Sequence, residues 1–142
     1  LWWDEYVLDR TIGLQFLIAK SQDLFGRNIF SAYLPTTVAS ILMLFTTYKL
    51  HEELFNKKYA IISPLILATT YLWFDYSHLA TQDIVYSCLV TIGLFSLVKI
   101  KSKDNKFYIL LFGIWIGLAF MMKTFLVFIP LISLLPYFFI NK

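Results

Sequence analysis

Charge is what this chain is short of: 15% of its 142 residues are Asp, Glu, Lys or Arg, while 59% are apolar and 19% aromatic. A soluble domain carries about 25% charged residues, so a water-bathed globule is excluded and an integral membrane protein is indicated. Cysteine is scarcer still. The single one, Cys88, lies in an apolar stretch, which excludes a disulfide or Cys-metal framework and leaves packing as its role. Alternating barrel-like patterning is missing too, and hydrocarbon offers no partner for free backbone groups, so the crossings must be helical. Pro35, Pro64, Pro130 and Pro136 fall within or at the ends of the apolar runs, where membrane helices tolerate them. The chain opens at Leu1 with no charged n-region and cleavage site and stops at Lys142 after an apolar run; we expect an internal fragment.

What is present is a series of apolar runs, at 32–48, 59–74, 84–100, 107–122 and 124–140. At about 1.5 Å per residue, a run of roughly 17 covers about 26 Å, a little short of a hydrocarbon core of about 30 Å, so boundary residues complete each span. The last two runs have no turn residue between them, yet one helix over both would be about 50 Å long, too much for tilt to absorb. A tight hairpin near Lys123 and Thr124 is expected instead. Gly113 and Gly117 form a GxxxG pair, a spacing that lets another helix approach closely. The expectation is an all-α polytopic bundle in one domain over 1–142: an extracytoplasmic or interfacial segment over 1–31, then about five transmembrane helices over 32–142.

Charge sorts the connections into two sets. One holds Lys49, Lys57, Lys58, Lys99, Lys101, Lys103, Lys106 and Lys142 against Glu52, Glu53 and Asp104. The other holds Arg10, Lys20, Arg27 and Lys123 against Asp4, Glu5, Asp9, Asp23, Asp75 and Asp83. By the positive-inside rule the lysine-rich connections are cytoplasmic, and the alternation holds through all five spans if the last two form a hairpin. The net positive charge therefore reflects topology, not nucleic-acid binding. The lysine clusters also suit weak contact with anionic membrane lipids.

That orientation gathers the N-terminal segment, the link from Tyr76 to Asp83, and Lys123 on the outer face. Tyr71, Trp73, Phe74 and Tyr76 collect at the same boundary, as an interfacial aromatic belt does. An ionisable group at the end of a span is costly unless it is used, which singles out Asp83. Upstream, the apolar stretch 12–19 is too short to cross, so 11–25 reads as a helix lying at the outer interface, with Gln15, Gln22 and Asp23 toward water or protein. Gly26 ends it.

Four segments, taken in order, carry a family resemblance. Arg10-Thr-Ile-Gly-Leu-Gln-Phe-Leu, Leu24-Phe-Gly-Arg-Asn-Ile-Phe-Ser-Ala-Tyr-Leu-Pro35, Tyr76-Ser-His-Leu-Ala-Thr-Gln-Asp83 and Gly117-Leu-Ala-Phe-Met-Met-Lys123 resemble the PMT/ArnT-like branch of the GT-C glycosyltransferases. The resemblance covers nearly the whole sequence and implies a polytopic GT-C bundle. Its implied activity is transfer of a sugar from a polyprenyl-phosphate donor, undecaprenyl- or dolichyl-linked, to a lipid, glycan or protein acceptor on the extracytoplasmic face. A bacterial plasma (inner) membrane is the expected setting.

By the same resemblance Arg10 stands where the family has the Lys of a Lys-Pro-Pro-Leu-like motif, beside an acidic residue that Asp9 supplies; Thr11 and Ile12 replace the prolines. Asp83 matches an acidic position ending an outer loop, His78 replaces a frequent Arg there, and Lys123 matches the Lys of a Gly-Leu-x-Phe-x-x-Lys pattern. The family's main acidic pair lies in its first outer loop. Asp4-Glu5 looks like that pair but stands 20 residues before Phe25, roughly half the family's usual distance, so the principal carboxylate is expected outside this sequence.

Such chemistry needs a carboxylate to take the acceptor's hydroxyl proton. It also needs cations to hold the departing phosphate, for which a guanidinium gives charge-assisted, bidentate hydrogen bonds. The resemblance makes Asp83 and Asp9 the candidate catalytic carboxylates, and Arg10, His78 and Lys123 the candidate substrate-binding residues. Each has a plainer reading: Asp83 as a residue favoured by a helix dipole, Arg10 as a headgroup anchor, His78 as a loop hydrogen-bonder, Lys123 as a hairpin marker. No pattern speaks for or against a divalent metal. An ion- or proton-coupled transporter is the alternative, but it calls for charges near mid-span, and none of the five runs carries one there.

Overall fold

The computed structural model describes residues 12–103 and 106–133, and among these there are helices and no strands. The elements are α1 (Ile12–Phe25), α2 (Ile29–Leu54), a 3-10 turn (Lys57–Tyr59), α3 (Ile62–Thr69), α4 (Tyr71–Ser77), α5 (Gln82–Lys103), α6 (Lys106–Lys123) and a second 3-10 turn (Thr124–Val127). Helix continues over 128–133. Three stretches are long and apolar enough to cross a bilayer: Ile29–Leu54, Gln82–Ile100 and Lys106–Ser133.

The α1–α2 corner explains one of the sequence segments. Gly26 takes φ 80°, a left-handed value that suits glycine. Asn28 then caps α2: its side-chain oxygen accepts from the Ser31 backbone N–H at 2.7 Å, while its own backbone N–H donates to Ser31 Oγ at 3.2 Å. Ser31 Oγ also donates to the Gly26 carbonyl at 2.6 Å. Phe25 and Phe30 meet edge to face across the corner, with centroids 6.2 Å apart. The Phe-Gly-Arg-Asn-Ile-Phe-Ser stretch is therefore a turn-making device.

Helices α2 and α5 run parallel. Glu53 pairs with Lys99 near one end, while Leu34, Pro35 and Val38 share a cavity wall with Val85, Cys88 and Leu89 toward the other. Helix α6 returns antiparallel to α5, placing Tyr108 against Phe95 at the lysine-rich end (centroids 6.2 Å) and Lys123 beside Asp83 at the far end. Among the described residues, Glu53 and Lys99 of one charge set and Asp83 and Lys123 of the other thus occupy opposite ends of the bundle. Hydroxyls inside α2 are satisfied locally, Ser40 by the Thr36 carbonyl at 2.8 Å and Thr46 by that of Leu42 at 2.7 Å. Small or hydroxylated residues fill the contacts (Ser31, Thr36, Ala39, Ser96, Ala119 are buried), as helices packing in lipid require. Large apolar side chains face outward instead, among them Leu24, Ile29, Ile66 and Phe125.

The run at 59–74 is not one helix. It breaks at Thr70, whose ψ of 126° separates α3 from α4. Thr69 and Thr70 both turn their hydroxyls back onto the Ile66 carbonyl, at 3.0 and 2.9 Å, a back-bonding that bends helices. The stretch still travels the depth of the bundle. His51 Nδ1 meets Ser63 Oγ at 2.5 Å near the lysine-rich end, whereas Tyr76 lines a cavity with Asp83.

The hairpin expected near Lys123 and Thr124 is present. Thr124 adopts φ 38°. Val127 joins Ala119 and Trp115 in a buried cluster that Leu131 also packs against, and Tyr86 Oη donates to the Leu126 carbonyl at 2.8 Å. Leu94 and Ser133 line one cavity. Were 106–133 straight, these two would lie about 30 Å apart at ~1.5 Å per residue from the Asp83–Lys123 level, so the apolar stretch Lys106–Ser133 folds back on itself. The Gly113/Gly117 face is open: nothing described lies within 4 Å of a Cβ added at either position, and the close approaches occur at Gly13 and Gly93 instead.

Candidate functional site

Asp83 enters the bundle as the second residue of α5, a position where the helix dipole favours a carboxylate. Lys123 closes α6, where the same effect favours a cation. The antiparallel α5–α6 pair brings these ends together, and Lys123 Nζ donates to Asp83 Oδ1 across 40 residues of sequence. Their side chains are 25% and 49% exposed respectively, so the pair is reachable from outside the bundle. Lys123 also stands 5.8 Å from the Tyr86 ring centroid, one helical turn below Asp83.

Helix α1 completes the surroundings. Its Gly13 lies so close to α6 that an added Cβ would come within 2.8 Å of Met122 Sδ and 3.0 Å of the Met121 carbonyl. That contact sets Leu14, Gln15 and Ile18 beside Asp83 and Lys123, and together with Ala80, Thr81 and Gln82 they enclose a cavity of about 330 Å³. The Thr81 hydroxyl oxygen is buried without a hydrogen-bond partner among the described residues. Such an atom asks for a ligand group or water. A cation, a carboxylate, an amide and an unsatisfied hydroxyl on one wall are a set suited to an anionic, hydroxylated ligand.

Of the residues singled out in the sequence, Asp83 and Lys123 are brought together. His78 is turned into its own loop: Nδ1 is 2.7 Å from the Phe74 carbonyl and 3.1 Å from Ser77 Oγ, and the ring leans on Phe74 at 4.8 Å. It does not line the Asp83–Lys123 cavity. Asp9 and Arg10, with Asp4 and Glu5, lie outside the described residues. Sequence reasoning missed Thr81 and Tyr86 and assigned Gln15 only a general polar face. Thr81 and Tyr86 lie within three positions of Asp83, a proximity that would have drawn attention to them. No group of three or more His, Cys, Asp or Glu side chains able to hold a metal ion occurs among the described residues.

No curated protein and no solved structure matches the chain. A family model described as dolichyl-phosphate-mannose-protein mannosyltransferase matches residues 9–142, nearly the whole sequence. With an all-helical fold, membrane-length spans and a paired acid and cation at one end of the bundle, the chain belongs to this family of GT-C glycosyltransferases, which draw their sugar from polyprenyl-phosphate donors.

Proposed function

We infer that the protein transfers a sugar from a polyprenyl-phosphate carrier to a lipid, glycan or protein acceptor on the extracytoplasmic face, using the end of the bundle that holds Asp83 and Lys123. The supporting observation is the convergence of α1, α5 and α6 on that pair, at the end opposite the lysine-rich connections. In the reaction the acceptor oxygen bonds to the anomeric carbon and its proton passes to a carboxylate. The carbon's bond to the carrier oxygen breaks, leaving the electron pair on the phosphate, where cations hold it. Lys123 is one such cation and Arg10, three residues before Gly13 in the chain, the other. Asp83 orients the sugar or assists the base, and Asp9 positions Arg10. His78 shapes the loop between α4 and α5 through its bonds to Phe74 and Ser77.

The test is sugar transfer by the intact protein carrying Asp83→Asn or Arg10→Ala. An ion pair this exposed contributes about 0–1 kcal/mol to stability, so Asp83→Asn removes a charge without unfolding the bundle. Loss of proton transfer or phosphate stabilisation costs on the order of 10²-fold or more in rate. Both variants are expected to insert and express normally and to lose activity on that scale. Wild-type turnover in both rejects the site.

A further inference from the structure

Asp83 belongs to two cavities and is the residue their described walls share. One is the polar cavity of Lys123. The other, about 250 Å³, is bounded by residues of α2, α4 and α5, among them Met43, Trp73, Tyr76 and Ser87, with Thr70 before α4. Its aromatic wall is selected by helix geometry. Trp73 and Tyr76 are three apart, share one face of α4 and are half-buried, while Tyr71 and Phe74 point outward at 76% and 59% exposure; Leu72, 63% exposed, borders the mouth of the cavity. The outward set is the interfacial belt; the inward pair is not part of it.

Trp73 carries an unmet demand. Its Nε1 is buried without a hydrogen-bond partner among the described residues, and a side-chain turn toward a ligand's acceptor oxygen in the cavity it lines would supply one. The indole face offers an apolar platform beside it. A monosaccharide meets both features, with C–H groups for the ring face and hydroxyl oxygens for the N–H. The volume equals about eight water molecules at ~30 Å³ each, enough for one sugar ring.

We propose that the Trp73–Tyr76 cavity holds the sugar ring of the donor, with its phosphate on the Lys123 side, so that Asp83 stands beside the glycosidic bond that breaks. This rests on the reading of Asp83 and Lys123 as the transfer site. Trp73 is then a sugar-binding residue, stacking on the ring and donating Nε1–H to a hydroxyl.

The experiment compares Trp73→Phe, which keeps a ring and deletes the N–H, with Trp73→Ala in the full chain. Donor kinetics at saturating acceptor, acceptor kinetics at saturating donor, and binding of sugar-free polyprenyl phosphate are measured. Loss of one neutral hydrogen bond predicts a fall of about five- to tenfold in kcat/KM for the donor with Trp73→Phe, and a larger fall with Trp73→Ala. The sugar-free carrier binds both variants as it binds wild type, and the acceptor KM is unchanged. Wild-type donor kinetics in both variants overturns the proposal. So does an equal loss of sugar-free carrier binding, which assigns Trp73 to the lipid, or a change confined to the acceptor KM, which assigns the cavity to an acceptor sugar. If Asp83→Asn loses turnover while the Trp73 variants do not, the subsite alone falls; if Asp83→Asn is fully active, the transfer site falls with it.

Discussion

Gly93 shows how much one missing side chain decides in this bundle. The Trp115 indole, 2% exposed, occupies the space over it, and an added Cβ would stand 2.3 Å from the ring. Overpacking of a close-packed interior costs about 1–3 kcal/mol, so Gly93→Ala is expected to lower the unfolding free energy in detergent by that amount, and its midpoint with it. Gly113→Ala and Gly117→Ala meet open space and gain helix propensity, so their midpoints stay level or rise. A Gly93→Ala protein as stable as wild type would show that the α5–α6 contact is looser than described. The GxxxG spacing was readable in the sequence; the glycine that matters was not, because its partner is a tryptophan on another helix and leaves no periodic trace along α5. Ionic residues separate in a similar way. Lys99 and Glu53, 11% and 25% exposed at the side chain, are the more buried pair, and removing one partner leaves an uncompensated charge. Glu53→Gln is therefore expected to destabilise by about 1–3 kcal/mol, more than Asp83→Asn.

At the scale of elements, two interruptions give the molecule its form. The hairpin at Thr124 holds a threonine at φ 38°, a left-handed value that costs a non-glycine residue of order 1 kcal/mol. Thr124→Gly is expected to raise thermal stability by up to about 1 kcal/mol, and a fall would mean that the threonine side chain holds the turn. This hairpin was legible from length alone, since no bilayer accommodates a helix of about 50 Å without steep tilt. The break at Thr70 was not. Hydropathy is continuous across it, and neither proline nor glycine stands there; the cause is a pair of adjacent threonines bonding back to one carbonyl, which composition does not register. The partnership of Asp83 with Lys123 lay between these cases. Their common face followed from charge and topology, but their contact required the antiparallel return of α6. Trp73 and Tyr76 were read as belt residues because their spacing was not separated from that of their outward neighbours.

For the whole molecule, the separation of charge between the two ends is the testable property. Cys88 is 3% exposed within α5, so it gives little background to a membrane-impermeant thiol reagent. Leu79→Cys, in the exposed link before α5, is expected to label from outside intact cells, and Lys58→Cys only after the membrane is opened. The reverse pattern inverts the topology and removes the transfer site from the face on which it was placed. The interrupted crossing at 62–77 carries a further consequence, for biosynthesis. Neither α3 nor α4, of 8 and 7 residues, reaches across hydrocarbon alone. Backbone at such a break calls for other protein beside it, and α2 and α5 flank it on the side where Thr70 lines a cavity with Met43 and Ser87. A nascent chain halted before residue 82 lacks one of the two walls, so this segment is expected to settle only after α5 has left the ribosome, as a late passenger of helices made on either side of it.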